Sequence, residues 1–107
     1  SSKRPFDMTQ ETVFSASNDR ISYTCRLLNK KGIHARTAAQ LVMCTQNFDA
    51  SVILCYKELC VNCHSILGLM MLGSKRGDIL TFQATGKEAQ EVLNALKILI
   101  EDKFGEE

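Results

Sequence analysis

The chain has almost no net charge, +1 from 13 basic and 12 acidic side chains. Without an excess of either sign, no global field steers it toward nucleic acid or a membrane surface. No apolar run reaches the roughly 20 residues that cross a bilayer, so no direct membrane insertion is expected. No signal-peptide pattern is present, which points to a cytoplasmic protein. There is no internal repeat and no low-complexity tract. The only proline lies among the first 20 residues. Those residues are polar and without clean periodicity, so residues 1–20 are expected to form a flexible arm. Five cysteines is an odd count, and they cannot all pair within the chain. Cys25, Cys44 and Cys55 fall in apolar, regular segments. They read as small reduced thiols, the usual state in a cytosolic protein. No metal and no cofactor is expected.

What remains, residues 21–104, carries strong periodicity and suffices for one domain with a modest core. Residues 105–107 are left as a short tail. Residues 21–27 alternate and predict a strand. Ala38, Leu41, Val42, Thr45 and Phe48 recur at helical spacing, so a helix is expected from about Ala35 to Asn47. Residues 51–56 form a β-rich run with Val52, Leu54 and Tyr56 on one face, and residues 59–62 pair back. The intervening Lys57-Glu58 is a poor hairpin signal beside Asn-Gly. Ser65 caps a short helix that stops before Gly73. Residues 78–85 alternate again, with Leu80, Phe82 and Ala84 together. A last helix, about 87–103, carries the stripe Ala89, Val92, Leu93, Leu96 and Leu99 or Ile100. The order β-α-β-β-α-β-α is an α+β fold: four mostly antiparallel strands with three amphipathic helices on one face.

The chemistry concentrates in Gly32-Ile33-His34-Ala35-Arg36-Thr37-Ala38-Ala39. The glycine lets the chain turn tightly. His34 then falls at a helix N-terminus, beside unpaired N–H groups and the positive end of the helix dipole. Such an end binds anions, and Arg36 adds a cationic fork suited to phosphate. An imidazole beside a phosphate cradle suggests a histidine that itself accepts a phosphoryl group. Downstream, Ile66, Leu67, Met70 and Met71 carry more apolar surface than a short helix buries, leaving Leu69 and Leu72 for the core. That surface reads as a docking patch.

These two segments, with Lys75-Arg76-Gly77-Asp78 after them, resemble HPr, the histidine phosphocarrier family of the bacterial sugar phosphotransferase system. The resemblance runs from about Ile21 to Phe104. It implies an open-faced β-sandwich with strand order 1-4-2-3. It implies that His34, through Nδ1, takes a phosphoryl group from phosphorylated enzyme I and passes it to a sugar-specific enzyme IIA. Arg36 would then balance the phosphoryl charge, and Ile66, Leu67, Met70 and Met71 would dock both partners. Ser65 falls at the family's regulatory serine, the target of an HPr kinase/phosphorylase in some bacteria. Thr37 stands where the family usually has proline; its extra N–H could contact phosphate, or the turn could be looser. A carrier that presents one face to successive partners is expected to be a monomer, a stoichiometric carrier rather than a turnover enzyme. The alternative is a regulatory binding module of the same family in nitrogen or catabolite signalling.

One motif competes. Cys60-Val61-Asn62-Cys63-His64 matches C-x-x-C-H, the haem attachment pattern of c-type cytochromes. The segment reads as a strand, however, and residues three apart on a strand point to opposite faces. Both thiols would have to reach one haem edge, so a cytochrome is the remote reading.

Overall fold

The computed structural model describes residues 13–17 and 20–106. Of the expected arm, residues 1–12, 18 and 19 lie outside the described residues, as does Glu107 of the tail. The elements are strands β1 (Val13–Ser17) and β2 (Arg20–Arg26), helix α1 (Ala35–Gln46), and strands β3 (Ser51–Tyr56) and β4 (Leu59–Asn62). Helix α2 (Ile66–Met71), strand β5 (Ile79–Thr85) and helix α3 (Ala89–Glu101) follow. A 3-10 turn over Lys103–Gly105 closes the described chain.

All neighbouring strands are antiparallel, in the order β1-β2-β5-β3-β4. The last four reproduce the four-stranded sheet and the strand order that the resemblance implies. β1 is a correction to the arm. It pairs with β2 from Val13↔Thr24 to Ser17↔Arg20 and adds a fifth, outer strand. Phe14-Ser15-Ala16-Ser17 alternates apolar with polar after Val13, and Asn18 and Asp19 are residue types favoured in tight turns. Five residues were too short a pattern to stand out from the polar segment around them.

Alternation fixes which face is covered. Tyr23 and Cys25 of β2, Val52, Leu54 and Tyr56 of β3, and Leu80, Phe82 and Ala84 of β5 are all buried. They meet Ala38, Leu41 and Val42 of α1, Leu69 of α2, and Val92, Leu93, Leu96 and Ile100 of α3. The opposite face stays open. It carries the partly exposed Ile53 and Ile79 and the hydroxyl pair Thr24–Thr81, 3.1 Å apart.

The weak hairpin signal at Lys57-Glu58 is explained by a covalent clamp. Lys57 adopts the left-handed conformation, φ 56°, which a side-chain-bearing residue takes at a cost. Directly behind the turn, Cys55 and Cys60 face each other across the strands and form a disulfide. The Lys57 ammonium also sits over the Tyr56 ring, 5.1 Å from its centre. The reading of Cys55 as a reduced thiol is therefore corrected; Cys25, Cys44 and Cys63 are the free cysteines among the described residues. Closing so short a loop stabilises by about 2 kcal/mol in the chain-entropy account. Cys60→Ser is expected to lower the unfolding free energy by about that much, measured by urea titration. Adding a reductant should then destabilise the parent chain but not the variant.

Candidate functional site

The site begins at a turn that only glycine can make. Gly32 has φ +69°, and a Cβ there would lie 2.5 Å from the Ser74 carbonyl oxygen and 2.6 Å from Lys75 Cα. The turn is held by the Gly32 N–H donating to the Asn29 carbonyl, 3.3 Å. The fully buried Asn29 side chain donates from Nδ2 back to the Gly32 carbonyl, 2.8 Å. Ile33 anchors the next step in the core.

His34 is the N-cap of α1, in extended conformation. Its Nδ1 accepts from the Arg36 N–H at 3.3 Å. A reciprocal capping box surrounds it: the His34 side chain accepts from the Thr37 N–H, and Thr37 Oγ1 accepts from the His34 N–H at 2.9 Å. Thr37 is buried, and its hydroxyl donates to the Gly32 carbonyl, 3.1 Å. Thr37 at the third helical position thus ties the turn through its hydroxyl to residues 32 and 34.

The other edge of the ring meets a carboxylate from the far end of the chain. Glu106 Oε2 lies 2.8 Å from His34 Nε2 and 3.2 Å from Arg36 Nη1. Glu106 Oε1 accepts from Asn29 Nδ2 at 2.9 Å. The hydrogen bond from Asn29 is the main reason that the Glu106 carboxyl titrates below its ordinary value. Partial desolvation opposes the shift, and the His34 hydrogen bond and the charges of His34 and Arg36 reinforce it. Glu106 therefore keeps its charge to a lower pH than an isolated glutamate, and its contacts weaken as pH falls through that lowered value. Sequence reading missed this residue, because nothing local marks a carboxylate 72 positions from its histidine.

Between these groups lies a cavity of about 440 Å³ lined by Lys30, Lys31, His34, Arg36, Gly105 and Glu106. Lys30 and Lys31, which precede the Gly32 turn, bring two more cations to it. The arrangement offers an imidazole with one edge capped by helix N–H donors and the other by an anion, facing a cationic hollow. That combination holds an anion against a nitrogen nucleophile.

Ser65 caps α2, its Oγ accepting from the Gly68 N–H at 3.0 Å, and it is exposed. On the same helix Leu67 and Met71 are 67% and 73% exposed, and Ile66 and Met70 about 40%. Leu69 and Leu72 are buried instead. α2 packs beside α1. The rival motif comes apart. Cys60 is exposed and bonded to Cys55, while Cys63 is fully buried. Burial, with Cys44 nearby, pushes the Cys63 thiol up to about 12, so it is inert as a nucleophile. Two sulfurs on opposite faces cannot reach one haem edge.

A family model described as the PTS HPr component phosphorylation site matches residues 21–102. The chain belongs to the HPr family. Phosphocarrier protein HPr of Cupriavidus necator is 38% identical over 80 residues, covering 75% of this chain and 90% of that one. Phosphocarrier protein NPr of Shewanella violacea is 35% identical over 80 residues, covering 75% and 88%. Among solved structures, HPr-C-His from Thermoanaerobacter tengcongensis superposes with a TM-score of 0.77 at 38% identity, covering 80% of this chain and 97% of that one. Family membership makes this chain a phosphocarrier of the phosphotransferase system. Among the described residues no helix is long and apolar enough to cross a membrane.

Proposed function

We propose that His34 is the phosphoryl acceptor, loaded by phosphorylated enzyme I and unloaded onto a sugar-specific enzyme IIA. The observation that carries this reading is the placement of His34 Nδ1 at the N-terminus of α1, 3.3 Å from the Arg36 N–H, beside a cavity lined by Lys30, Lys31 and Arg36. In the step, the Nδ1 lone pair forms a bond to phosphorus. The donor's N–P bond breaks, and its electron pair returns to the donor imidazole. The phosphoryl oxygens then take over the helix N–H groups that Nδ1 had been accepting. Arg36 turns from Glu106 to the phosphoryl group and balances its charge. Onward transfer runs the same step in reverse to the acceptor. The carrier works as a monomer. Incubation with phosphoenolpyruvate and catalytic enzyme I tests the reading: intact mass should rise by one acid-labile phosphoryl group. A folded chain that gains none beside active enzyme I sinks it.

The exposed Ile66, Leu67, Met70 and Met71 dock both partners in this reading. Leu67→Glu puts a charge at the most accessible branched position of the patch and should slow loading about tenfold or more while thermal unfolding is unchanged. An unaltered rate would remove the patch from the mechanism. Phosphorylation of Ser65 would add charge beside that patch and weaken docking of an acidic partner. Mass analysis after treatment with an HPr kinase and ATP should show one acid-stable group that Ser65→Ala lacks; no gain in the parent chain ends the proposal. The likeness to a protein named NPr favours a second reading, a carrier whose relay ends in regulation rather than sugar uptake. Loading by one of two different enzyme I types from the same cell would separate the two.

A further inference from the structure

We propose that the Cys55–Cys60 disulfide is a thiol–disulfide exchange site for a small thiol bearing both an ammonium and a carboxylate group, bound in the cavity beside Cys55. The strand order sets Thr81 of β5, Cys55 of β3 and Cys60 of β4 in one row across the open face of the sheet. Thr81 stands opposite Cys55, and Cys55 opposite Cys60. A cavity of about 450 Å³ lies on the Thr81 side of Cys55, its lining including Tyr56, Lys57, Asp78 and Ile79. That volume admits a small molecule. It shares no lining residue with the hollow at His34.

The cavity carries one charge of each sign. Lys57 is exposed, its ammonium held over the Tyr56 ring. Asp78 Oδ2 accepts from the Lys75 N–H at 2.8 Å. That bond above all holds the Asp78 carboxyl below its ordinary value. Partial desolvation opposes the shift, and the Tyr56 hydroxyl and the charges of Lys75 and Lys57 reinforce it. A zwitterion is matched in one orientation, carboxylate to Lys57 and ammonium to Asp78. With both charged groups taken, its thiol is left to Cys55.

Exchange needs the attacking, attacked and leaving sulfurs close to one line. A thiolate in this cavity approaches Cys55 Sγ from the side away from Cys60, which is the side the step requires. The thiol first gives its proton to water. Its sulfur lone pair then forms a bond to Cys55 Sγ, the Cys55–Cys60 bond breaks, and the electron pair leaves on Cys60 Sγ. Cys60 is exposed, so water solvates that thiolate and protonates it. One disulfide is exchanged for another, and the product is a mixed disulfide on Cys55. Exposed disulfides are the exchange-labile ones.

The experiment presents the oxidised chain with L-cysteine or 2-mercaptoethanol and compares rates at equal thiolate concentration. An iodoacetamide quench alkylates the freed Cys60 and fixes the adduct for mass analysis. The parent chain should react about tenfold faster with cysteine, the scale of one charge-assisted contact. Intrinsic reactivity works against that preference, because 2-mercaptoethanol is the more basic thiolate. Peptide mapping should place the cysteine adduct on Cys55. Asp78→Asn and Lys57→Gln should each lower the preference severalfold. N-acetylcysteine, which lacks the ammonium, and cysteine methyl ester, which lacks the carboxylate, should lose it on the parent chain, testing the same contacts with the fold untouched. No preference for cysteine in the parent chain, a preference that both blocked thiols retain, or an adduct on Cys60 overturns the proposal.

Discussion

His34→Ala is expected to abolish phosphoryl acceptance, with no detectable gain in mass after phosphoenolpyruvate and enzyme I. The expected effect is total because the side chain is, in the proposed function, the nucleophile and not an assistant to one. No other described group replaces it. His64, the second histidine of the chain, is exposed at the end of β4, and the free thiols Cys25 and Cys63 are pushed up to about 11 and about 12 by burial. The fold should survive. His34 is only half-buried, and the Thr37 hydroxyl still accepts the N–H of residue 34 in the capping box. Loss of the cap acceptor costs about 1 kcal/mol. Arg36→Ala is milder in the same assay, because Lys30, Lys31 and the helix N–H groups still face the phosphoryl group. It should slow loading about tenfold to a hundredfold without stopping it. A His34→Ala chain that still takes up acid-labile phosphate would end the assignment.

Gly32→Ala should be the most damaging single-methyl change, lowering stability by roughly 2–5 kcal/mol in denaturant unfolding. Two causes add. The left-handed conformation, φ +69°, costs an alanine about 1–2 kcal/mol. The added Cβ also meets the backbone at 2.5 and 2.6 Å, at Ser74 and Lys75, and overpacking against backbone costs about 1–3 kcal/mol more. The stability loss should come with a loss of loading rate, because Gly32 O receives both Asn29 Nδ2 and Thr37 Oγ1. Moving that carbonyl moves the grip on Glu106 and the capping box around His34 together. Gly73→Ala is the control. It shares a positive φ, 70°, but a Cβ there meets nothing within 4 Å. It should cost only the conformational part and leave loading unchanged.

Much of the fold was legible along the chain. The α3 stripe predicted Ala89, Val92, Leu93 and Leu96, all buried, and of the pair left open for its last place Ile100 is the buried one; Val52, Leu54, Tyr56, Leu80, Phe82 and Ala84 all face the core as their alternation required. Element ends moved by a residue or two, as helix and strand ends do. β1 was missed, because four alternating residues inside a polar segment do not exceed the background. The Cys55–Cys60 bond was missed for a related reason. Its sequence separation of five residues says nothing until the hairpin register puts the two residues opposite each other.

The site divides in the same way. Its local half could be read directly: a glycine turn, a histidine at the cap, an arginine two residues on, and the helix behind them. Neighbours in sequence are neighbours in space there, and backbone chemistry alone places the N–H donors. The sequence by itself determined the fold class, the histidine at the cap of α1 and the apolar patch on α2, because periodicity and short spacing encode them. Only the tertiary structure decided what faces the other edge of the ring. Asn29, Glu106 and His34 meet because β2 ends beside the start of α1 and α3 runs back across the sheet to a left-handed turn at Phe104. No pattern in residues 103–107 could announce that, since the partner of a charged side chain is set by where chain ends converge, not by their local sequence.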